Sequence, residues 1–402
     1  MTAESKTATT NLKEATEQRI PLAYMAHLEP PAIAPYEQVS LTDVTVHPAV
    51  LRTALQILER KIVGTNRRTV AMLMAFKRLL EDYEIPRFAP TPQHLRMLVN
   101  KHIVFFRDCR PHNLSMGNVI KWLKDEQLKE AIEGPDLGAA VAGVVREIVS
   151  FVQERIVLAT ETIVHFCVVR ILKPGDVILV FGRSTAVERT LLRAKEQGLP
   201  FSVVVVDSVP LREGTELARV LKDAGVRVTL TTMGGLYSHC SEVNRILLGA
   251  VCLTSNGNVL GRAGSAVVAM VAKQRLYGGA PPELFVLCES YKLSERVLID
   301  SSSINDLEDP SSLFLDHYLN TDFDGPYEQG WSRWLPKSHP ALMGSVGVRD
   351  SSGRTPNAVV PLYDVTPARC VDYVIMELGL FTVPNLPSVI RDYDSWRQGR
   401  RV

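Results

Sequence analysis

The chain has 402 residues, 46% hydrophobic and 22% charged, with 45 Lys and Arg against 44 Asp and Glu. That length suits two or more domains with proper cores, and a net charge of +1 speaks against a general nucleic-acid binder. No run approaches the ~18 apolar residues of a membrane span, and six scattered cysteines without a C-x-x-C pair fit free thiols rather than a zinc site or disulfide framework.

Residues 1–46 carry Pro30, Pro31 and Pro35 and little periodicity, which predicts a largely irregular N-terminal arm. Met1 to Thr10 lack the apolar core of a signal segment, so a cytosolic location is expected. From 47 to 172 the period is helical. Leu51, Leu55, Leu58 and Ile62 recur at three- and four-residue spacing, as do Val70, Leu73 and Met74, then Ala139, Val145, Val149 and Val152. Breaks at Gly64, Pro86, Pro111 and Gly134-Pro135 divide the region into about five helices, the last a long one over 136–172. Between His47 and Glu130 stand 15 Lys and Arg against 8 Asp and Glu. So basic a region either steers an acidic partner or forms a solvated face.

At Lys173-Pro174-Gly175-Asp176 the period changes. Val177 to Phe181, Phe201 to Asp207, Val226 to Thr231, Ala250 to Leu253, Leu284 to Cys288 and Val359 to Tyr363 read as short apolar strands, with helical segments between them. Such alternation predicts an α/β domain over 173–402 with a mainly parallel sheet covered on both faces. A Ser-, Asp- and Pro-rich insertion over about 301–358 interrupts it.

The segment from Gly249 to Ser265 reads as a buried strand, an Asn256-Gly257 turn and an approach to a helix through Arg262 and Gly264. Asn256, Arg262 and Ser265 thereby offer donors and a cation where a helix begins, as a sugar-phosphate site does. A tight turn with a cap explains the same residues. Arg183 and Ser184, after the strand ending at Phe181, invite the same two readings. The segment's candidates for catalysis are Cys252, which sits inside an apolar run, and hydroxyls without an adjacent base.

Gly182 lacks the further glycines of a dinucleotide fingerprint, so Asp207 only superficially resembles a ribose-binding acid. Glu289, Tyr291, Lys292, Glu295 and Arg296 form a polar cluster after a strand, a ligand-recognising group or, with better reason, a salt-bridged loop. Asp364 reads as a turn residue. No two histidines stand at ligand spacing, and no G-x-S-x-G or G-K-[ST] occurs, so neither a metal nor a cofactor is expected. Thr65-Asn66-Arg67-Arg68 opens a helix with two guanidinium groups, which oppose its dipole by roughly a few tenths of a kcal/mol each. An anionic partner explains the conflict, and so does an ordinary exposed pair.

The order of several motifs is more telling than any one. His47-Pro48-Ala49-Val50, Gly64 to Arg68, Cys109-Arg110-Pro111 and Met116 to Lys121 come first. Asp176 to Val180, Val203 to Ser208, the Asn256-Gly257 segment and Cys288 to Arg296 follow. Asn305 to Pro310, Tyr363 to Pro367, Glu377-Leu378-Gly379 and Pro387 to Arg391 close the series. This pattern resembles the alpha/beta/delta family of regulatory subunits of translation initiation factor 2B, its delta branch most, from about residue 20 to 392.

The resemblance implies a helical N-terminal domain and a Rossmann-like C-terminal domain. It further implies a non-catalytic regulatory subunit of the guanine-nucleotide exchange factor for translation initiation factor 2. Such a subunit would pair with a beta subunit and join alpha, gamma and epsilon subunits. Its helical domain would meet the phosphorylated alpha subunit of factor 2, here through Asn66, Arg67 and Arg68. The family shares its fold with isomerases of ribose 1-phosphates, which use a Cys after the first strand and an Asp in a Gly-Ala-Asp motif. The matching positions here are Gly182 and Val251. A proton-shuttling isomerase without its acid or base loses several orders of magnitude in rate. Arg183, Ser184, Asn256, Arg262 and Ser265 then become a vestigial phosphate site. The alternatives are a subunit that senses a sugar phosphate or nucleotide, and a divergent isomerase.

Overall fold

The computed structural model describes residues 46–84, 92–129, 137–209, 211–274, 281–308 and 360–397. The expected arm, apart from Val46, and the expected insertion beyond Glu308 lie outside the described residues. The chain forms two compact units, and one of them, over 33–208, 212–301 and 363–402, holds all the described helices and most strands.

That unit begins with helices. Pro48–Leu58 (α1) opens on a proline, with His47 as N-cap accepting the Ala49 N–H. Thr65–Glu81 (α2), Pro92–Cys109 (α3) and Leu114–Lys121 (α4) follow, and a π-helical segment, Trp122–Gln127, continues α4. The fifth, α5 over 137–171, is one continuous run. Its α-helical pieces Leu137–Phe151 and Ala159–Phe166 alternate with π-helical Val152–Leu158 and Cys167–Ile171.

Gly64 and Pro111 separate helices as expected, whereas Pro86 and Gly134-Pro135 lie outside the described residues, and the buried faces of α1 and α5 differ from expectation. α1 buries Val50, Ala54 and Ile57, and α5 buries Val141, Val144 and Ile148. The stripes read from the sequence, Leu51-Leu55-Leu58 and Val145-Val149, lie one position over and are only half-buried. Adjacent positions are about 100° apart on a helix, so two apolar stripes side by side share one broad face.

The sheet follows. Asp176–Phe181 (β1), Thr185–Glu196 (α6), Phe201–Asp207 (β2), Glu213–Asp223 (α7) and Arg227–Thr232 (β3) come in turn. A single turn, Leu236–His239 (α8), leads to Arg245–Gly249 (β4), Cys252–Thr254 (β5), Val259–Arg262 (β6) and Ser265–Lys273 (α9). Glu283–Leu287 (β7) and Leu293–Ser294 (β8) come next. Leu307–Glu308 (β9) and Val360–Pro361 (β10) pair with each other in the second unit. Tyr363–Thr366 (β11), Tyr373–Met376 (β12), Gly379–Thr382 (β13) and Leu386–Arg397 (α10) complete the chain.

The main sheet has the order β13-β12-β7-β4-β1-β2-β3 and is parallel except for β13. Alternate residues feed two separate cores. Leu179, Phe181, Val204, Val206 and Ile246 pack on one face, and Ile178, Val180, Val203, Val205 and Leu247 on the other. The architecture is the expected one, a helical N-terminal part and a Rossmann-like α/β part.

Two strand assignments need correction. The strand read at Ala250–Leu253 gives way to two: Arg245–Gly249, which precedes it and joins the main sheet, and Cys252–Thr254, which belongs to a second sheet of order β11-β6-β5-β8. The strand read at Val359–Tyr363 also splits, into β10 and β11, both antiparallel to their partners. Among the described residues no helix is long and apolar enough to cross a membrane.

Candidate functional site

Chain order reverses between β1 and β4, which are neighbours in the sheet. Open α/β sheets bind ligands in the crevice this leaves beyond the strands' carboxyl ends. Here the crevice is a cleft of about 700 Å³ counted out to its open mouth, lined among others by Phe181, Arg183, Ser184, Gly249, Val251 and Arg262. Three helix starts reach it: Thr65 of α2, Thr185 of α6 and Ser265 of α9. The positive ends of these helices favour negative charge there. Gly264, with φ +112°, permits the approach of α9, because a β-carbon at that position would meet the Phe181 ring at 2.5 Å.

Three cations line the cleft, and each is held by a carboxylate of the chain itself. Arg183 donates to Glu188 through Nε at 2.6 Å and Nη2 at 3.1 Å. Arg262 donates to Glu213 through Nε at 2.8 Å and Nη2 at 2.6 Å, with its guanidinium 5.5 Å from the Tyr363 ring centre. Lys292 lies 2.7 Å from Glu289. The last pair is the deepest, since Glu289 is 0% exposed. Burial pushes the Glu289 carboxyl up, but the Lys292 charge and bonds from Lys292, Thr160 and Asn66 outweigh it, so the group lies below the usual carboxylate range.

Two further carboxylates fix the helix starts. Asp207 accepts the Gly214 and Thr215 N–H groups at 2.9 Å each and the Thr215 hydroxyl at 2.6 Å, which anchors the first turn of α7. It is a structural cap, not a ribose ligand. Asp364 accepts the Gly264 and Ala266 N–H groups at 2.7 and 3.0 Å and so caps α9. Burial raises its carboxyl to about 6 against those two bonds.

Four of the expected phosphate-site residues, Arg183, Ser184, Arg262 and Ser265, come together around this cleft. Asn256 does not. Its amide donates to the Leu298 carbonyl at 2.9 Å and accepts from the Thr254 hydroxyl at 2.6 Å, tying a hairpin to the following loop. Gly182 adopts φ +58° at the end of β1, and Val251 is a buried apolar residue on the cleft wall, its carbonyl accepting from the Ser115 hydroxyl. The neighbouring Cys252 is no nucleophile at neutral pH, because burial pushes its thiol up to about 12.

The expected partner-facing triplet is corrected for two of its three members. Asn66 is buried, donating to Glu289 at 2.7 Å and accepting from the Tyr291 hydroxyl at 2.6 Å. Arg68 is 2% exposed and donates to the Pro111 carbonyl at 2.9 Å. Three consecutive helical positions span roughly 200° around the axis, so all three cannot face outward together. Only Arg67 is exposed. Glu188, Glu213 and Thr160 carry the site's electrostatics with no signal in the sequence, since their partners lie 5, 49 and 129 residues away. Among the described residues no three His, Cys, Asp or Glu are grouped to hold a metal ion.

Comparison with known proteins places this geometry in a lineage. The sequence model of the Initiation factor 2 subunit family matches residues 61–383. Translation initiation factor eIF2B subunit delta of Schizosaccharomyces pombe is 30% identical over 354 residues, which is 87% of this chain and 69% of that protein. The delta subunit of Dictyostelium discoideum is 30% identical over 349 residues, 87% of this chain and 52% of its own length. A ribose 1,5-bisphosphate isomerase of Haloferax volcanii is 24% identical over 350 residues, 87% of this chain and 94% of that one. Among solved structures, the tetrameric eIF2B-beta2-delta2 complex from C. thermophilum contains a chain with a TM-score of 0.66 and 29% identity, covering 83% of this chain and 92% of that chain. The chain belongs to the initiation factor 2 subunit family.

Proposed function

We propose that the chain is a non-catalytic regulatory subunit of the guanine-nucleotide exchange factor for translation initiation factor 2, acting in the cytosol. It pairs with the beta subunit, a reading supported by its likeness to a chain of the tetrameric beta2-delta2 complex. With alpha, gamma and epsilon subunits it contributes to binding the alpha subunit of factor 2 and to sensing its phosphorylation. The relatives described above include delta subunits and isomerases, and one observation favours the first. Val251 lines the cleft where the resemblance puts an isomerase's Asp, Gly182 stands between the lining residues Phe181 and Arg183 where it puts the Cys, and the cleft's three cations are each taken by a carboxylate. Such a cleft serves folding and assembly better than proton transfer.

Co-expression with the beta subunit followed by native mass measurement tests the reading. A complex containing both chains is expected, and isolation as a lone homodimer counts against it. Incubation with ribose 1,5-bisphosphate should give no turnover; clear turnover would move the chain to the isomerase class. Arg67 is the member of the triplet left to meet a partner. Charge reversal, Arg67→Glu, should weaken binding of phosphorylated alpha subunit more than the unphosphorylated form. Equal affinities for wild type and variant would remove Arg67 from the contact.

A further inference from the structure

Three helix starts reach one crevice and favour negative charge there, that of α9 already meeting Asp364. In this chain the charge is supplied from within. We propose that Glu213 is a tethered anion: its carboxylate takes, on Arg262, the place that a phosphate group would take, and so closes the cleft to anionic ligands.

The contact has the form of a ligand contact. The Arg262 guanidinium meets the two carboxylate oxygens of Glu213 through bonds of 2.8 and 2.6 Å, the fork that serves carboxylate and phosphate alike. Its position is built. Asp207 fixes the first turn of α7, and Gly214 leaves room for that cap, since a β-carbon there would lie 2.8 Å from Asp207 Oδ1. Arg212, with φ +44°, adopts the left-handed conformation that non-glycine residues seldom enter. A cap, a glycine and a disfavoured backbone conformation thus combine to set Glu213 at the first position of the helix.

The pair also stands where a ligand would reach it. The side chains of Arg262 and Glu213 are 18% and 17% exposed, against 8% and 0% for Lys292 and Glu289. Glu213 lines the cleft itself, and its Oε2 lies 4.0 Å from the point a β-carbon on Gly182 would occupy. Arg183 is held by Glu188 from the first turn of the helix that follows it, and Lys292 by a buried network. Removing the Glu213 charge therefore takes the carboxylate away from a guanidinium that stands beside three helix starts.

The test uses the full chain, with inorganic phosphate as probe and chloride at matched ionic strength as control. Wild type should show no phosphate-specific shift in melting temperature. Glu213→Gln should gain a rise of roughly 2–4 °C at saturating phosphate. By titration calorimetry its phosphate affinity should exceed wild type by at least about ten-fold. Adding Arg262→Gln should abolish the gain, which ties it to that guanidinium. A wild-type shift as large as that of Glu213→Gln would overturn the assignment, as would a folded Glu213→Gln without any gain. Should that variant fail to fold, Glu213→Asp withdraws the carboxylate by one methylene, and absence of a partial gain there overturns the proposal. Capture of the beta subunit by the same proteins reports the assembly reading separately.

Discussion

The floor and the mouth of the cleft hold the same kind of chemistry under different conditions. At the floor, Glu289 meets Lys292 but also accepts from Asn66 of α2 and Thr160 of α5, each at 2.7 Å. Tyr291 adds a bond to Asn66, and its ring packs edge-on against Phe151. At the mouth, Arg262 and Glu213 bond to each other and lie partly in solvent. A buried charge is tolerable only when its remaining hydrogen-bonding capacity is satisfied, and a partly exposed pair has water for that purpose. The floor network therefore joins helices to sheet, whereas the mouth pair mainly sets the potential of the crevice.

Substitutions can break this contrast or sharpen it. Glu289→Ala leaves Lys292 buried without its counter-charge and should cost about 3–5 kcal/mol. Urea denaturation would show it, or loss of soluble protein on expression. A cost below that of the mouth variants would refute the division between floor and mouth.

Asp364 gives a pH signature. Its carboxyl is raised to about 6 from an ordinary 3.8. The unfolded chain thus releases this proton first, so the group's contribution is fully present below about pH 4 and is lost as pH rises through about 6. Asp364→Asn should remove that slope, gaining roughly 2–3 kcal/mol on wild type between pH 4 and pH 7 in denaturation measured across the range. A parallel pH dependence in both proteins would show that the carboxyl is not perturbed.

Asn66→Ala should cost about 1–2 kcal/mol, because the Tyr291 hydroxyl loses its acceptor and Glu289 one donor. Its neighbour Arg67 is exposed, and Arg67→Ala should change stability by less than about 0.5 kcal/mol. Glu213→Gln in phosphate-free buffer should cost under about 1 kcal/mol, as partly exposed pairs do. A loss there as large as that for Glu289→Ala would make the mouth pair a structural joint too.

Much of the fold is legible in the sequence. Gly64 and Pro111 punctuate the helices, and Val177 to Phe181 and Phe201 to Asp207 stand as strands because each is a closed apolar run. Legibility fails where one apolar run spans two elements. From Ile246 to Leu253 every residue is apolar or glycine, so periodicity cannot locate the break after Gly249. The hairpin of β12 and β13 has Glu377-Leu378 at its turn rather than Asn-Gly, which leaves it without a sequence signal. In the site, Arg183, Ser184, Arg262 and Ser265 are legible because glycines mark strand-to-helix junctions. Their carboxylate partners are not, because a bond between residues 213 and 262 is a product of tertiary folding. Asn66 and Arg68 escape for a related reason: charge and polarity say nothing of which way a helix is rotated.

The φ of +58° at Gly182 sets a cost on any side chain placed there. A β-carbon would force a residue into the left-handed region, at roughly 1–2 kcal/mol. It would stand 4.0 Å from the Glu213 carboxylate, in ordinary contact with it. The backbone at this junction thus works as a one-way gate: glycine enters it freely, and every larger residue enters at a cost.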